Sequence, residues 1–177
     1  MRDQMVSMVK EAQDEICNVI ASIDDSDYRE DEWTREGGGG GRSRVFSSGS
    51  VFEKAGINVS AVHGVLSEEA AVRMGGGIGA DGNLEFFATG VSLVLHPKNP
   101  MAPTVHSNYR YFERGEDENG HSWWFGGGAD LTPSYLFEED AVHFHTAYKR
   151  ICDRHEVADY SRFKNWCDEY FYNSHRK

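Results

Sequence analysis

Met5, Val9, Ala12, Ile16, Val19 and Ile23 recur three or four positions apart, which predicts an amphipathic helix over 2–23. Acidic residues and a lone Trp33 follow, and then five consecutive glycines, Gly37 to Gly41. A run of this kind reads as a flexible connector, or else as backbone that must lie close to a ligand. Val45–Phe46 and Val51–Phe52 predict a short hairpin around Ser48–Gly49, and Asn58 to Val65 a further strand. Ser67 is placed to cap a short helix, SEEAAVRM, whose acids fall in the first turn. Strands are expected over about 84–96, 104–113 and 121–125, with Asn119–Gly120 at the last bend. Asp130 to Tyr135 reads as a loop into a helix from Glu138 to His155 with Ala141, Phe144, Tyr148 and Ile151 as its apolar stripe. A last helix is expected from Tyr160 to Asn173 with Phe163, Trp166 and Tyr170 inward. Strands in the middle and helices at both ends predict an α+β domain on a large, mainly antiparallel sheet flanked by helices.

Period two gives the segment after Pro103 its meaning. Val105, Ser107, Tyr109 and Tyr111 fall on one face, and His106, Asn108, Arg110 and Phe112 on the other. One face of one strand thus carries an acid/base, an amide and a fixed cation. By the same count Ser92 and His96 share a face on the strand before. Polar residues along a strand face are often only solvent-facing, but the planar fork of Arg suits carboxylates and phosphates and favours an anion-binding wall.

Charge narrows the partners. A net charge of −11 on 177 residues argues against nucleic acid or an anionic membrane, though a local Arg site can still hold a small anion. No apolar run approaches the roughly 20 residues of a membrane span, and MRDQMVSMVKEAQDE at the start carries acids where a signal peptide needs an apolar core, so a cytoplasmic location is expected. Cys17, Cys152 and Cys167 lack any CxxC spacing and read as reduced thiols. Gly77, Gly79 and Gly82 match GxGxxG only formally, because a helix rather than a strand precedes them.

His96, His106, His145 and His175 can be imagined around a divalent metal, yet no HxxxH or HxH-on-strand spacing locks such a site. Both readings stay open. His143 is rotated away from His145 on the helix and should face solvent; His63, His121 and His155 read as ordinary histidines. Asp130, after WWFGGGA, reads either as a partly desolvated proton acceptor or as a turn residue.

Longer strings narrow the choice. GGGGGRSRVF (37–46), VFEKAGINVSAVHG (51–64), HPKNPMAPTVHSNYRYFE (96–113), WWFGGGADLTPSYLFEEDAVHFH (123–145) and FKNWCDEYFYNSHR (163–176) closely resemble the oxygen-dependent coproporphyrinogen-III oxidases, in that family's order. The resemblance implies oxidative decarboxylation of two propionates of coproporphyrinogen III to the vinyls of protoporphyrinogen IX. O2 would be the acceptor, in haem synthesis, and the working form a homodimer without organic cofactor. It assigns catalysis to His106, Asp130 and Arg110, and substrate binding to Ser92, Asn108, Tyr109 and Arg110. It also implies a divalent metal (Mn2+ or similar) on His96, His106, His145 and His175. Members of that family continue beyond the motif that ends this chain. Residues 1–177 are therefore expected to form a single oxidase-like domain truncated at its C-terminus, poorly stable and weakly active alone. The alternative is a non-catalytic remnant that binds porphyrinogen or a partner chain. A mononuclear metal oxygenase would need a facial 2-His-carboxylate pattern that the sequence lacks.

Overall fold

A computed structural model of the chain describes residues 1–73, 84–117 and 120–176. Six antiparallel strands form one sheet in chain order: β1 (Tyr28–Thr34), β2 (Gly39–Ser47), β3 (Phe52–Val65), β4 (Glu85–Pro97), β5 (Thr104–Asp117) and β6 (Gly120–Thr132). Helices α1 (Arg2–Asp24), α2 (Glu68–Arg73), α3 (Glu138–Cys152) and α4 (Tyr160–Tyr170) complete an α+β architecture. Residues paired across an antiparallel ladder point to the same side, so the register assigns every strand residue a face.

One face is closed by α1. Val9, Cys17 and Ile20 pack on Phe46, Ala55, Ile57, Val59 and Val91. The buried stripe is rotated from the expected one: Val19 and Ile23 are exposed, while Gln13 and Asp24 are fully buried. Polar side chains are buried there because each is saturated. Gln13 Nε2 donates to the carbonyls of Ile57 (2.8 Å) and Arg42 (2.9 Å), and its Oε1 accepts from Arg42 Nε (2.7 Å). Arg44 joins Asp14 and Glu30, each at 2.6 Å, and lies against the Tyr28 ring. At the start of the helix Arg2 pairs with Glu113 of β5.

Asp24 ends α1 and receives the β2–β3 turn. Its Oδ1 accepts the backbone N–H groups of Val51 (2.7 Å) and Phe52 (2.8 Å), and the Ser26 hydroxyl donates to its Oδ2. Burial alone would push this carboxyl up; the bonds from Ser26, Phe52 and Val51 outweigh it and hold the pKa below its ordinary value. A Cβ at Gly49 would overlap the Asp24 carboxylate, so only glycine lets this turn reach its anchor.

Several expectations are corrected. The glycine run is no connector, since Gly39, Gly40 and Gly41 lie within β2, Gly40 and Gly41 paired with strands on both sides and Gly39 with β3. Side chains there would strike the Ala61, Trp33 and Val59 carbonyls, so the run serves close backbone approach. The charged stretch around Trp33 is a strand, β1, which the sequence pattern hid because six of its seven residues are exposed. Strand β6 continues through Gly126–Gly128 to Thr132, so Asp130 lies in a strand and not in a loop. Both C-terminal helices are shorter than expected, and Phe163, Trp166 and Tyr170 point to solvent. The hairpin at Ser48–Gly49 and the Ser67 cap, whose Oγ accepts Ala70 N–H at 3.2 Å, are present. The GxGxxG glycines and Asn119 lie outside the described residues.

Candidate active site

The face opposite α1 is the chemical one. Three successive rungs cross it. Gly56, Val94, His106 and Asp130 are paired in one; Asn58, Ser92, Asn108 and Gly128 in the next; Ser60, Gly90, Arg110 and Gly126 in the third. Four of these twelve positions are glycine, which leaves a shallow floor with chemistry concentrated on β5 and β6. The even-numbered residues of β5 thus stand where period two put them, and Ser92 joins them.

His106 and Asp130 are direct partners across the β5–β6 ladder, and His106 Nδ1 lies 2.6 Å from Asp130 Oδ1. Donation from Nδ1 to the carboxylate leaves Nε2 as the free, proton-accepting nitrogen. The second carboxylate oxygen accepts from Thr132 Oγ1 at 3.2 Å. Phe171, which follows α4, sets its ring edge-on to His106 with centroids 5.8 Å apart. It lies over Gly128, where a Cβ would come within 3.3 Å of that ring. Neither Thr132 nor Phe171 was legible as a site residue. The first was hidden by reading β6 too short, and the second carries no sequence signal, since its role depends on a glycine 43 positions earlier.

Arg110 Nη1 donates to Asn108 Oδ1 at 3.0 Å. Its guanidinium lies flat over Gly126, where a Cβ would be 3.3 Å from Cζ. It makes no ion pair with a carboxylate among the described residues and is exposed, so its fork remains open to an anion.

Tyr109 stands apart from the binding residues it was grouped with. It pairs with Val91 and Gly127, which belong to the opposite face. Burial and a hydrogen bond with Tyr148 of α3 push its phenol far up. It therefore braces α3 rather than facing the floor of the site.

The four histidines are not brought together. His96 Nδ1 is 3.4 Å from Thr104 Oγ1, and His145 Nδ1 is 3.0 Å from the Tyr160 hydroxyl at the α3–α4 contact. His106 is committed to Asp130, and His175 lies in the turn Ser174–Arg176. Among the described residues no three His, Cys, Asp or Glu side chains are grouped to hold a metal, so the implied four-histidine set does not fit this geometry. His143 is exposed, as helical rotation requires, and the three cysteines are free.

Comparison with known proteins gives this face a family. The chain is 50% identical over 184 residues to the oxygen-dependent coproporphyrinogen-III oxidase, chloroplastic, of Glycine max, covering 99% of the chain and 48% of that protein. It is 52% identical to coproporphyrinogen-III oxidase 1, chloroplastic, of Arabidopsis thaliana, covering 99% and 47%. It is 51% identical to the mitochondrial oxygen-dependent enzyme of Homo sapiens, covering 99% and 40%. The chain thus spans somewhat less than half the length of these relatives. Their names also overturn the expected cytoplasmic location, since they place these proteins in chloroplasts or mitochondria. The family model for coproporphyrinogen III oxidase matches residues 4–177. Because that match takes in the whole six-stranded sheet and both partners of the His106–Asp130 pair, the chain belongs to the coproporphyrinogen III oxidase family.

Proposed function

We propose that this sheet face holds a porphyrinogen by a propionate and moves the protons of its oxidative decarboxylation, a reading supported by relatives named as oxygen-dependent coproporphyrinogen-III oxidases. The observation that carries the reading is the 2.6 Å His106–Asp130 pair, set two and four residues from Asn108 and Arg110 on a floor bared by glycine. Arg110 takes the reacting carboxylate, and Asn108 and Ser92 supply hydrogen-bonding groups beside it. His106 Nε2 accepts a proton from a pyrrole N–H, and Asp130 fixes the imidazole and stabilises the imidazolium that results. Deprotonation makes an already electron-rich macrocycle a better reductant. Each propionate then loses CO2 and the β-hydrogen with its electron pair. O2 accepts that hydride equivalent and one proton, giving a vinyl group, CO2 and H2O2 in balance.

The same reading takes a second copy of the chain as partner. Exposed Trp123 and Phe125 on edge strand β6 supply apolar surface suited to burial in such an assembly.

Aerobic incubation with coproporphyrinogen III, followed by chromatography of the porphyrins, tests the reading. Conversion to protoporphyrinogen IX that is lost in His106→Ala supports it. A folded chain that neither converts nor binds the substrate overturns it. A second reading, binding without turnover, is favoured by the openness of the face, on which Arg110 and His96 are both exposed. Saturable binding without conversion would select it.

A further inference from the structure

The same sheet face carries a second cationic feature at its opposite corner. Asp27, Arg29, Val45, Ser47 and Lys54 line a hollow of about 340 Å3. Arg29 pairs with Val45, and Val45 with Gly56, so Arg29 belongs to the rung that ends in His106 and Asp130. Lys54 pairs with Ser47 and His96, one step further along the strands and on the same side. At about 4.8 Å per strand, Lys54 stands about 10 Å and Arg29 about 19 Å across the sheet from His106.

Neither cation is committed. Arg2, Arg42, Arg44, Lys149 and Lys164 each have a carboxylate within 4.0 Å, whereas among the described residues Arg29 and Lys54 have none. Asp27 at the rim offsets one of the two charges and leaves one in surplus. In a chain of net charge −11 the overall field repels anions, so an anion must be met by such a local surplus.

We propose that Arg29 and Lys54, with the Ser47 hydroxyl as a further donor, form a second carboxylate-binding subsite. It takes a non-reacting carboxylate of the same polycarboxylate whose reacting propionate Arg110 holds. The inference rests on the reading under Proposed function and adds to it the means of orientation. One carboxylate on Arg110 leaves the macrocycle free to swing about that contact. A second, held across the sheet, fixes which side chain lies over His106. Binding energy from a remote group is thereby used to place the reacting one.

The test uses coproporphyrin III, the stable oxidised tetracarboxylate, as fluorescent probe at low and high salt, with a porphyrin bearing a single propionate for comparison. The double variant Arg29→Gln/Lys54→Gln is expected to bind the tetracarboxylate about tenfold more weakly, with a shallower salt dependence. Its affinity for the monocarboxylate should change less than about twofold, since exposed charges contribute little where no ligand group meets them. The charge-conserving Arg29→Lys/Lys54→Arg should retain binding, which separates loss of charge from loss of fold. If the Gln variant binds the tetracarboxylate like the wild type while Arg110→Gln does not, the subsite is overturned and the proposed function stands. If the folded wild-type chain shows no saturable binding of the tetracarboxylate, both fall together.

Discussion

His106 and Asp130 face each other across one rung of the β5–β6 ladder, with Nδ1 and Oδ1 2.6 Å apart. Backbone pairing therefore sets their separation, and side-chain rotation only completes it. Asp130→Asn should leave His106 in place but offer it an amide in either orientation, losing the charge that stabilises imidazolium. Turnover of coproporphyrinogen III should fall about 100-fold or more, with binding of coproporphyrin III little changed. Equal losses in both measurements would mean that Asp130 acts on binding instead.

Strand β2 depends on glycine for its spacing. A Cβ at Gly41 would overlap both the Val59 carbonyl and the Trp33 ring. Gly41→Val should destabilise the chain by about 2–4 kcal/mol, as forced overpacking and a displaced ladder require. Urea denaturation followed by tryptophan fluorescence measures it. A flexible connector would tolerate the change within about 0.5 kcal/mol.

Asp24 makes stability depend on pH. Its folded pKa lies below the ordinary 3.8, so the unfolded chain binds the proton more readily and acid favours unfolding. The contribution is present above pH 3.8 and is lost as pH falls through the folded value. Asp24→Asn should be less stable at neutral pH by about 1–3 kcal/mol, through weakened bonds to Val51 and Phe52. The gap from wild type should close as pH falls below that range. A gap independent of pH would show that the carboxylate charge is not what holds the turn.

Helices α3 and α4 have no buried residue, while β3 holds Ala55, Ile57 and Val59 fully in the core. Their amides should exchange with solvent well before those of β3 and β4, because local opening there uncovers little apolar surface. Hydrogen exchange read by mass spectrometry tests this. Equal protection would mean that α3 and α4 unfold only with the sheet.

Much of the site was legible because β5 alternates without interruption, so period two alone put His106, Asn108 and Arg110 on one side. Asp130 was recognised as a residue but not as part of a strand. Gly126, Gly127 and Gly128 look like a turn in sequence, whereas here they clear space for Arg110, Tyr109 and Phe171. Strand β1 was invisible for a similar reason: at an exposed edge the hydrophobic alternation that marks a strand is absent. The α1 stripe was misphased because Gln13 and Asp24, polar and so outside the apolar count, have their polar atoms satisfied by β3 and by the turn before it. The grouping of Tyr109 with Arg110 fails on parity, as neighbours along a strand face opposite ways.

The strand order follows the chain, so each strand, as it is made, finds its partner already present. Assembly can run in one direction, from β1 through the strands that α1 and the Asp24 anchor hold, toward β6. The His106–Asp130 pair belongs to the ladder between the last two of these six strands. A nascent chain that has made five strands exposes His106 without its carboxylate. Under the proposed function, proton transfer is thereby tied to the pairing of β6 with β5, and a chain stopped before β6 would lack the carboxylate that orients its base.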